Sequence, residues 1–400
     1  MAALLKSWRE AATLILVSAN RCRGRITFKP VGSSQTTAEP KGDNFETLML
    51  KRSSKSTFMP NLYVFPGGVA SDADFSKEWY DILGQAGELS RSNLFNFVKG
   101  NGPGAPMFNR IRDAEFTTIP SEIAFRICAI RETFEESGVL LARNVSDMKQ
   151  TTVINVDSPT YGNALKSDSN INTWRKRVEE NASEFITMCR DMNIVPDVWS
   201  LYEWSDWLTP AQEIILHRKP RRYDTAFFLC CVDEKPDVAE DKGETVHSQW
   251  GSPLNILLEF ERGWAGIAPP QMYELARLLN IGSMEELVHF CWSRERSGNR
   301  IERWLPVRFE CADAVLYLMP GDELYPKVPD IYGEGEILKS SLTLEELEQK
   351  YPLQHRTRYE VDSEGKRKGR VSCNIEMAAG HVAPYVDFAN LTIESTESKL

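Results

Sequence analysis

Histidine is scarce in this 400-residue chain, and its eight cysteines never form a Cys-x-x-Cys pair. The five histidines do not occur at zinc-finger spacing. Because a structural zinc site needs four such ligands at close spacing, these absences argue against one. Cys230 and Cys231 lie in an apolar run, so we expect buried free thiols and a reducing compartment.

Long apolar runs are also missing. None approaches the length of about 20 residues that spans a bilayer, and Lys6, Arg9 and Glu10 interrupt the N-terminal apolar residues, so we expect neither membrane insertion nor a signal peptide. The net charge of −10 argues against non-specific binding of nucleic acid. With 42% hydrophobic residues, the chain has the composition of a globular protein, and its length suggests about two or three domains.

What the chain does contain is a helical pattern before Gly138. At about 100° per residue, a narrow apolar stripe forms and predicts a helix packed on a core. The stripe consists of Ile123, Ile127, Ile130 and Phe134. We expect the helix to run from about Ser121, as N-cap, to Ser137, with Gly138 ending it in a left-handed conformation.

Three carboxylates, those of Glu132, Glu135 and Glu136, fall on the opposite side of this helix. Residues at these spacings are neighbours on a helix surface and repel one another unless a cation lies among them. Carboxylate oxygens suit Mg²⁺ or Mn²⁺. The alternative is an ordinary solvated acidic face.

The full spacing Arg-Glu-x-x-Glu-Glu-x-Gly-Val, with Phe65-Pro66-Gly67-Gly68 upstream, resembles the Nudix box of the Nudix hydrolases. The first half of the box departs from the family pattern. Counting back from Arg131 puts Thr117 and Ile123 where a glycine and a glutamate belong. If Gly68 is that glycine, the acid is Asp74, and residues 75–119 are mostly an insertion that splits the box. Glu122 is a second possible substitute for the missing glutamate.

The resemblance implies an α/β fold, the Nudix α/β/α sandwich, for residues 8–262, with the insertion at 75–119. Residues 263–392 form an α+β extension in this interpretation, and residues 393–400 form a flexible tail. Sequence patterns place strands at residues 13–17, 46–51, 62–65 and 223–232. They place helices at 171–192 and 269–292 and further strands within 305–319.

The resemblance also implies the roles of individual residues. Glu132, Glu135 and Glu136 become metal ligands, the main chain of Gly67 or Gly68 closes the site, and Arg131 orients the carboxylates. A loop after the box commonly supplies one more glutamate as base or ligand. Glu244 is our candidate and Glu240 the alternate, although a solvated loop explains both acids as well.

A degenerate coenzyme A signature points to the substrate. The number of residues that this signature requires separates Leu48-Met49-Leu50-Lys51-Arg52-Ser53 from Phe65-Pro66-Gly67-Gly68. The chain resembles the peroxisomal coenzyme A diphosphatase branch of the family. Candidate substrate-binding residues are Arg52, Ser53, Arg221 and Arg222, because guanidinium groups recognise phosphate. Products would be adenosine 3′,5′-bisphosphate and 4′-phosphopantetheine or its acylated form. Tryptophans 204, 207, 250 and 264 line an acyl groove or pack in the core.

Two alternatives stay open. Another Nudix substrate, such as NADH or ADP-ribose, would keep the metal site and change the pocket. A non-catalytic Nudix-fold binding protein would retain the fold, but such proteins usually lose box carboxylates. The terminal Ser398-Lys399-Leu400 matches the tripeptide read by the peroxisomal import receptor, so we expect a peroxisomal matrix enzyme that regulates coenzyme A levels.

Overall fold

A computed structural model describes most of the chain. The described residues are 8–19, 27–30, 41, 44–56, 59–85, 107–150, 158–212, 222–240, 245–298, 301, 303–361, 367–378, 380–386, 388 and 391–394. Arg221, Glu244, the glycine- and proline-rich part of the insertion at 101–106 and the terminal tripeptide at 398–400 lie outside these ranges. No helix in the described part is both long enough and apolar enough to cross a membrane.

Nine α-helices occur in the described residues. They are α1 (Trp79–Gly84), α2 (Ser121–Ser137), α3 (Val145–Gln150), α4 (Ser169–Glu180), α5 (Glu184–Asp191), α6 (Pro253–Glu261), α7 (Pro269–Leu278), α8 (Met284–Ser297) and α9 (Leu344–Lys350).

The described residues also form strands of two to eleven residues. They are β1 (Arg9–Ala19), β2 (Thr27–Pro30), β3 (Phe45–Arg52), β4 (Leu62–Val64), β5 (Gly67–Val69), β6 (Leu140–Asn144), β7 (Ala164–Leu165), β8 (Ile194–Pro196), β9 (Tyr202–Leu208), β10 (Tyr223–Val232), β11 (Thr245–Gly251), β12 (Gly266–Ile267), β13 (Arg303–Trp304), β14 (Val307–Glu310), β15 (Val315–Leu318), β16 (Leu338–Lys339), β17 (His355–Val361), β18 (Arg367–Cys373) and β19 (Leu391–Glu394).

The main sheet has nine strands in the order β12-β4-β3-β1-β10-β9-β13, with β11 added to β3 and β5 added to β1. Its central strand β1 runs parallel to β10 in an unbroken register. Buried residues continue without a gap from Ala11 to Ser18, as expected of a strand that is covered on both faces. The sheet is mixed, because the remaining neighbours of β1 are antiparallel.

Alternate residues of β1 serve two different cores. Leu14 and Leu16 pack in a cluster with residues of α2, α4 and α5, while Ile15 and Val17 pack in a cluster with residues of α6, α7 and α8. Helices therefore cover both faces of the sheet. This arrangement confirms the α/β/α sandwich expected from the sequence.

Most predicted elements are found, with revised ends. The strand expected at 13–17 extends over 9–19, and the strand expected at 223–232 is β10 with the same two ends. The helical regions at 171–192 and 269–292 each divide into two helices. Helix α2 spans Ser121–Ser137 as predicted, but Pro120 occupies its N-cap position. The hydroxyl of Ser121 instead accepts a hydrogen bond from Arg112 Nη1 at 2.9 Å, which corrects the N-cap prediction.

The predicted insertion at 75–119 contributes to the core at both of its described ends. Phe75 and Trp79 are buried before its undescribed middle part, and Met107 and Phe108 are buried after it. Arg112 then binds Glu10 of β1 through two nitrogen atoms, at 2.7 and 2.8 Å. Both described ends of the insertion are thus packed against the domain.

Packing is also continuous across the predicted domain boundary at 262. Glu274 of α7 is fully buried and accepts hydrogen bonds from Trp204 and Trp207 of β9, each at 2.6 Å. Arg277 Nη1 lies 2.8 Å from Glu274 Oε2 and balances the charge of this carboxylate. These two tryptophans therefore belong to the core, whereas Trp250 is partly buried and Trp264 is 70% exposed. The boundary at 262 stays a prediction.

A second sheet lies in the C-terminal region, in the order β16-β14-β15-β17-β18. Its strands β14 and β15 are the strands expected within 305–319, and they pair antiparallel. Strand β18 approaches α6 and α7 so closely that a Cβ on Gly369 would meet Met272 Sδ at 2.1 Å and Phe260 Cε1 at 2.8 Å. A glycine is needed there to seat this sheet on the helices.

Candidate active site

Helix α2 lies against the short glycine strand β5. The thiol of Cys128 donates to Gly68 O at 3.8 Å, and Arg131 Nη2 donates to Val69 O at 3.2 Å. All four residues of the predicted apolar stripe are buried in the core beneath the helix. The acidic residues are thereby held on the part of α2 that faces β5.

The three box glutamates are brought together at the C-terminal end of α2. Glu136 is buried and its Oε2 accepts a hydrogen bond from Gly67 N at 2.9 Å. Glu132 and Glu135 are half-buried, and their Oε1 atoms accept from the same nitrogen, Arg131 Nη1, at 2.9 and 2.7 Å. The carboxyl end of a helix disfavours negative charge, so this cluster depends on nearby cations.

Arg131 is the main cation of the site and is only 3% exposed. Its Nε and Nη2 form a bidentate pair with Asp74 at 2.7 and 2.8 Å. Together with its bonds to Glu132, Glu135 and Val69 O, this arrangement engages all five N–H donors of the guanidinium. Burial alone would lower the pKa of Arg131, but Asp74 and Glu132 outweigh burial and hold the pKa well above its usual value.

Asp74 takes the place of the missing box glutamate. A capping box positions it locally, because Ser71 N donates to Asp74 Oδ2 at 2.8 Å at the start of a short 3₁₀ helix. Glu122 does not reach Arg131, since it lies nine positions earlier on the same helix, a rise of about 14 Å. Ile123, which falls at the expected glutamate position, is a core residue with 2% exposure. The acid that contacts Arg131 is therefore Asp74, the residue found by counting from Gly68, and it is not Glu122.

Both glycines of β5 are required by close approaches. A Cβ on Gly67 would lie 2.4 Å from Ala12 O of β1, and the φ of Gly67 is +155°. A Cβ on Gly68 would lie 2.2 Å from Glu132 Oε2. The missing side chain of Gly68 therefore creates the space that the Glu132 carboxylate occupies.

Burial raises the pKa of Glu135 to about 7, with Arg131 opposing the shift and Glu132 adding to it. Desolvation and a like-charged neighbour both disfavour the ionised carboxylate. The site therefore holds more negative charge than Arg131 alone can neutralise, which favours binding of a further cation.

The donor chemistry fits a hard divalent cation. Carboxylates on adjacent helical turns are the ligands that Mg²⁺ and Mn²⁺ prefer, and the lack of a side chain at Gly68 lets the Glu132 carboxylate lie against β5. Among the described residues, no three acidic, histidine or cysteine side chains already form a finished metal cage. Arg131 draws Glu132 and Glu135 to itself, so an ion would share these carboxylates with the guanidinium.

The predicted substrate-binding residues are divided between two places. Arg52 pairs with Thr245 across β3 and β11, and Thr245 Oγ1 donates to Glu136 O at 3.1 Å. Residues directly opposite on paired strands share one face of a sheet, so Arg52 lies on the face that carries α2. Ser53 follows it, is 7% exposed, and accepts a hydrogen bond from Lys55 N at 3.2 Å.

Arg222 is not brought to the glutamates. It precedes β10 at the end where Arg9 begins β1, whereas Gly67 pairs with Thr13, about 13 Å further along β1 at the rise of a strand. The Arg222 side chain is 2% exposed, donates to Thr209 O at 3.0 Å and packs on the Trp8 ring. Its burial fits a structural role, and its contact with substrate stays a prediction.

Of the two candidate loop acids, only Glu240 is among the described residues. Its Oε1 accepts hydrogen bonds from the N and Oγ of Ser248 at 3.0 and 2.7 Å, and these bonds lower its pKa. The position of Glu244 as base or ligand stays a prediction. Sequence reasoning pointed to Asp74 only through the glycine spacing, because no local pattern marks its contact with Arg131.

Comparison with known proteins agrees with this geometry. A family model described as the NUDT19 Nudix domain matches residues 8–278, and one described as the NUDT19 C-terminal domain matches residues 308–362. The sandwich fold and the acidic helix on a glycine strand thus define a Nudix hydrolase.

Several curated relatives carry the name acyl-coenzyme A diphosphatase NUDT19. The Xenopus laevis protein is 39% identical over 398 residues, which cover 99% of this chain and 98% of that protein. The Gallus gallus protein is 40% identical over 84% of this chain and 85% of its own length. The Homo sapiens protein is 37% identical over 80% of each. The chain belongs to the NUDT19 family of Nudix hydrolases.

The contact between Asp74 and Arg131 predicts a strong effect of Asp74→Asn. Loss of one partner of a buried ion pair typically costs about 3–5 kcal/mol, and Arg131 would no longer be fixed between Glu132 and Glu135. We expect the free energy of unfolding to fall by about 3 kcal/mol and turnover by at least about 100-fold. Urea denaturation and steady-state kinetics measure the two effects. Glu122→Gln is the control, and an equal loss of turnover in that variant would contradict the assignment.

Gly68→Ala is expected to disable the site while the fold persists. The added Cβ clashes with the tip of a flexible carboxylate, which can swing away from its position in the site. We expect turnover to fall at least about tenfold with little change in Tm. The matched control is Gly84→Ala in α1, where an added Cβ meets nothing within 4 Å. Similar kinetics for the two alanine variants would disprove this role of Gly68.

Glu135→Gln should stabilise the metal-free protein at high pH. A carboxyl group whose pKa is raised from 4.5 to about 7 binds more protons when folded, so its cost to stability grows as the pH rises from about 4.5 to 7. We expect the Tm of the variant to exceed that of the wild type by a few degrees at pH 8 and to match it near pH 4. Differential scanning calorimetry with EDTA checks this, and a gain of equal size at both pH values would refute it.

Proposed function

We propose that this protein hydrolyses the diphosphate bond of coenzyme A and acyl-coenzyme A in the presence of Mg²⁺ or Mn²⁺. The products are adenosine 3′,5′-bisphosphate and 4′-phosphopantetheine or its acylated form. The observation that carries the proposal is the grouping of three carboxylates at one helix end, with Glu132 and Glu135 bound by Arg131 and Glu136 bound by Gly67 N–H. It occurs in a chain that is 39% identical along 99% of its length to a protein named acyl-coenzyme A diphosphatase.

The residues of the site fit this reaction. Water must attack one phosphorus atom while the bond to the bridging oxygen breaks, and negative charge on the phosphoryl oxygens must be neutralised. A divalent ion, when bound, supplies that neutralisation and acidifies water. Glu132, Glu135 and Glu136 would hold the ion. Arg131 keeps two of these carboxylates in place, and Gly67 N–H orients the third.

Arg52 is the best-supported residue for recognising the substrate. It lies on the sheet face that carries α2, and its Nε and Nη2 donate to Ser56 Oγ at 3.0 and 2.7 Å, which orients the guanidinium. A guanidinium presents a planar fork to phosphate. Coenzyme A carries a 3′-phosphate in addition to its diphosphate, so Arg52 would add a phosphate contact beyond the metal site.

A substrate panel tests the reaction. Purified protein with Mg²⁺ or Mn²⁺ is incubated with coenzyme A, acyl-coenzyme A, NADH and ADP-ribose, and the products are identified by mass. We expect cleavage of the two coenzyme A substrates and near-complete loss of cleavage in Glu136→Gln. Cleavage of NADH or ADP-ribose alone would support another Nudix substrate. Nucleotide binding without any cleavage would support a binding protein.

The role of Arg52 can be separated from the chemistry. We expect Arg52→Gln to raise the KM for coenzyme A about tenfold, because a charge-assisted contact to phosphate contributes about 1.5–3 kcal/mol. The KM for dephospho-coenzyme A should change by less than about twofold. Lys55→Gln, at an exposed neighbouring position, is the control. Equal effects on both substrates would argue against recognition of the 3′-phosphate.

We also propose that the enzyme works in the peroxisomal matrix and there regulates the level of coenzyme A. The support is Ser398-Lys399-Leu400, which matches the tripeptide that an import receptor reads as an address. A fluorescent protein fused to the C-terminus masks this tripeptide and should leave the enzyme in the cytosol, whereas an N-terminal fusion should reach peroxisomes. Import of the C-terminal fusion would disprove this part of the proposal.

A further inference from the structure

The C-terminal end of α2 is closed by residues that lie outside the Nudix box. The last four carbonyl groups of a helix have no partners within it. Here Phe134 O accepts from Gly138 N at 2.9 Å and Ser137 O accepts from Ala239 N at 2.9 Å. The two carbonyls between them belong to the predicted metal ligands Glu135 and Glu136, and each is bound by a side chain from a distant segment.

Arg175 of α4 binds the first of these carbonyls. Its Nε and Nη2 donate to Glu135 O at 2.9 and 2.7 Å, and its Nη1 donates to Ala239 O at 2.7 Å. The residue is 6% exposed. Helix α2 has no basic residue in its last turn, so Arg175 supplies the positive charge that a helix C-terminus favours.

Gly138 makes room for this guanidinium. A Cβ on Gly138 would lie 3.1 Å from Arg175 Nη1, and its φ of +74° is left-handed. The glycine thus ends α2 and also admits Arg175 to the helix end.

Thr245 binds the second carbonyl. Its Oγ1 donates to Glu136 O at 3.1 Å, and the residue is fully buried at the start of β11. Ala239 and Thr245, which lie on either side of residues 240–244 in the sequence, are therefore both hydrogen-bonded to the end of α2. Because main-chain positions at a helix end determine where the side chains project, these bonds bear directly on Glu135 and Glu136.

We propose that Arg175 is a positioning residue of the active site. Thr245 has the same role at the neighbouring carbonyl group. Arg175 sets the main chain of Glu135 and thereby the geometry with which the carboxylates bind a divalent ion. It acts through the helix end, since its guanidinium is buried on the main-chain oxygens of Glu135 and Ala239. It also pairs with the side chain of Glu179 at 3.3 Å, which lies on its own helix. This inference rests on the proposed metal-dependent diphosphatase site and adds two residues from outside its sequence motif.

The test compares Arg175→Ala with Arg177→Ala on the same helix. Arg177 is 47% exposed and pairs with Glu184, and exposed pairs contribute little. Binding of Mn²⁺ is measured by electron paramagnetic resonance without substrate, and hydrolysis of coenzyme A is measured separately. For Arg175→Ala we expect the Kd for Mn²⁺ to rise at least about tenfold and kcat to fall at least about tenfold. The KM for coenzyme A should stay within about twofold, and Arg177→Ala should resemble the wild type.

Added guanidinium ion should partly restore Mn²⁺ binding to Arg175→Ala and leave Arg177→Ala unchanged. Thr245→Val, which removes one hydrogen bond at nearly constant volume, should shift Mn²⁺ binding in the same direction by a smaller factor. If Arg175→Ala does not fold, Arg175→Lys decides, because an ammonium cannot reproduce the guanidinium fork.

A folded Arg175→Ala or Arg175→Lys variant that binds Mn²⁺ within twofold of the wild type would overturn the inference. The proposed function fails by a different result, namely wild-type protein that binds Mn²⁺ but leaves coenzyme A intact. In that case the Mn²⁺ titrations still decide the role of Arg175.

Discussion

The buried guanidinium of Arg131 is the interaction on which the site depends. One side chain joins three parts of the chain, because it binds Asp74 at the start of the insertion, the main chain of β5 and two glutamates of its own helix. An arginine suits this position because it carries five directed donors and a charge that burial does not remove. Asp74 reaches Arg131 although it lies 57 residues earlier in the chain.

Placing carboxylates at the C-terminal end of a helix costs stability, because the helix dipole, partial burial and mutual repulsion all disfavour their charge. The raised pKa of Glu135 is one expression of that cost. Two arginines offset it from opposite sides, Arg131 at the carboxylates and Arg175 at the carbonyls. A site with unrelieved negative charge is suited to a divalent cation, so the feature that costs stability is the one that favours metal binding.

The remainder of the fold holds this helix end in place. The core cluster shared by β1, α2, α4 and α5 fixes the apolar side of α2. Hydrogen bonds from Ala239 and Thr245 fix its C-terminal end. On the other face of the sheet, Glu274 of α7 accepts a hydrogen bond from Trp204 of β9, and β18 packs on α6 and α7. The C-terminal region therefore adds to the core that supports the sheet.

The sequence by itself determined the acidic helix, its apolar stripe, its glycine end and the family, because these depend on spacings within one short segment. It also predicted the central strands, whose apolar runs are long. Only the tertiary structure distinguished Asp74 from Glu122, moved Arg222 away from the site and brought Arg175 and Thr245 to the helix end. Those contacts join residues far apart in the chain, and their partners are chosen by how the sheet and helices pack, for which no local pattern exists.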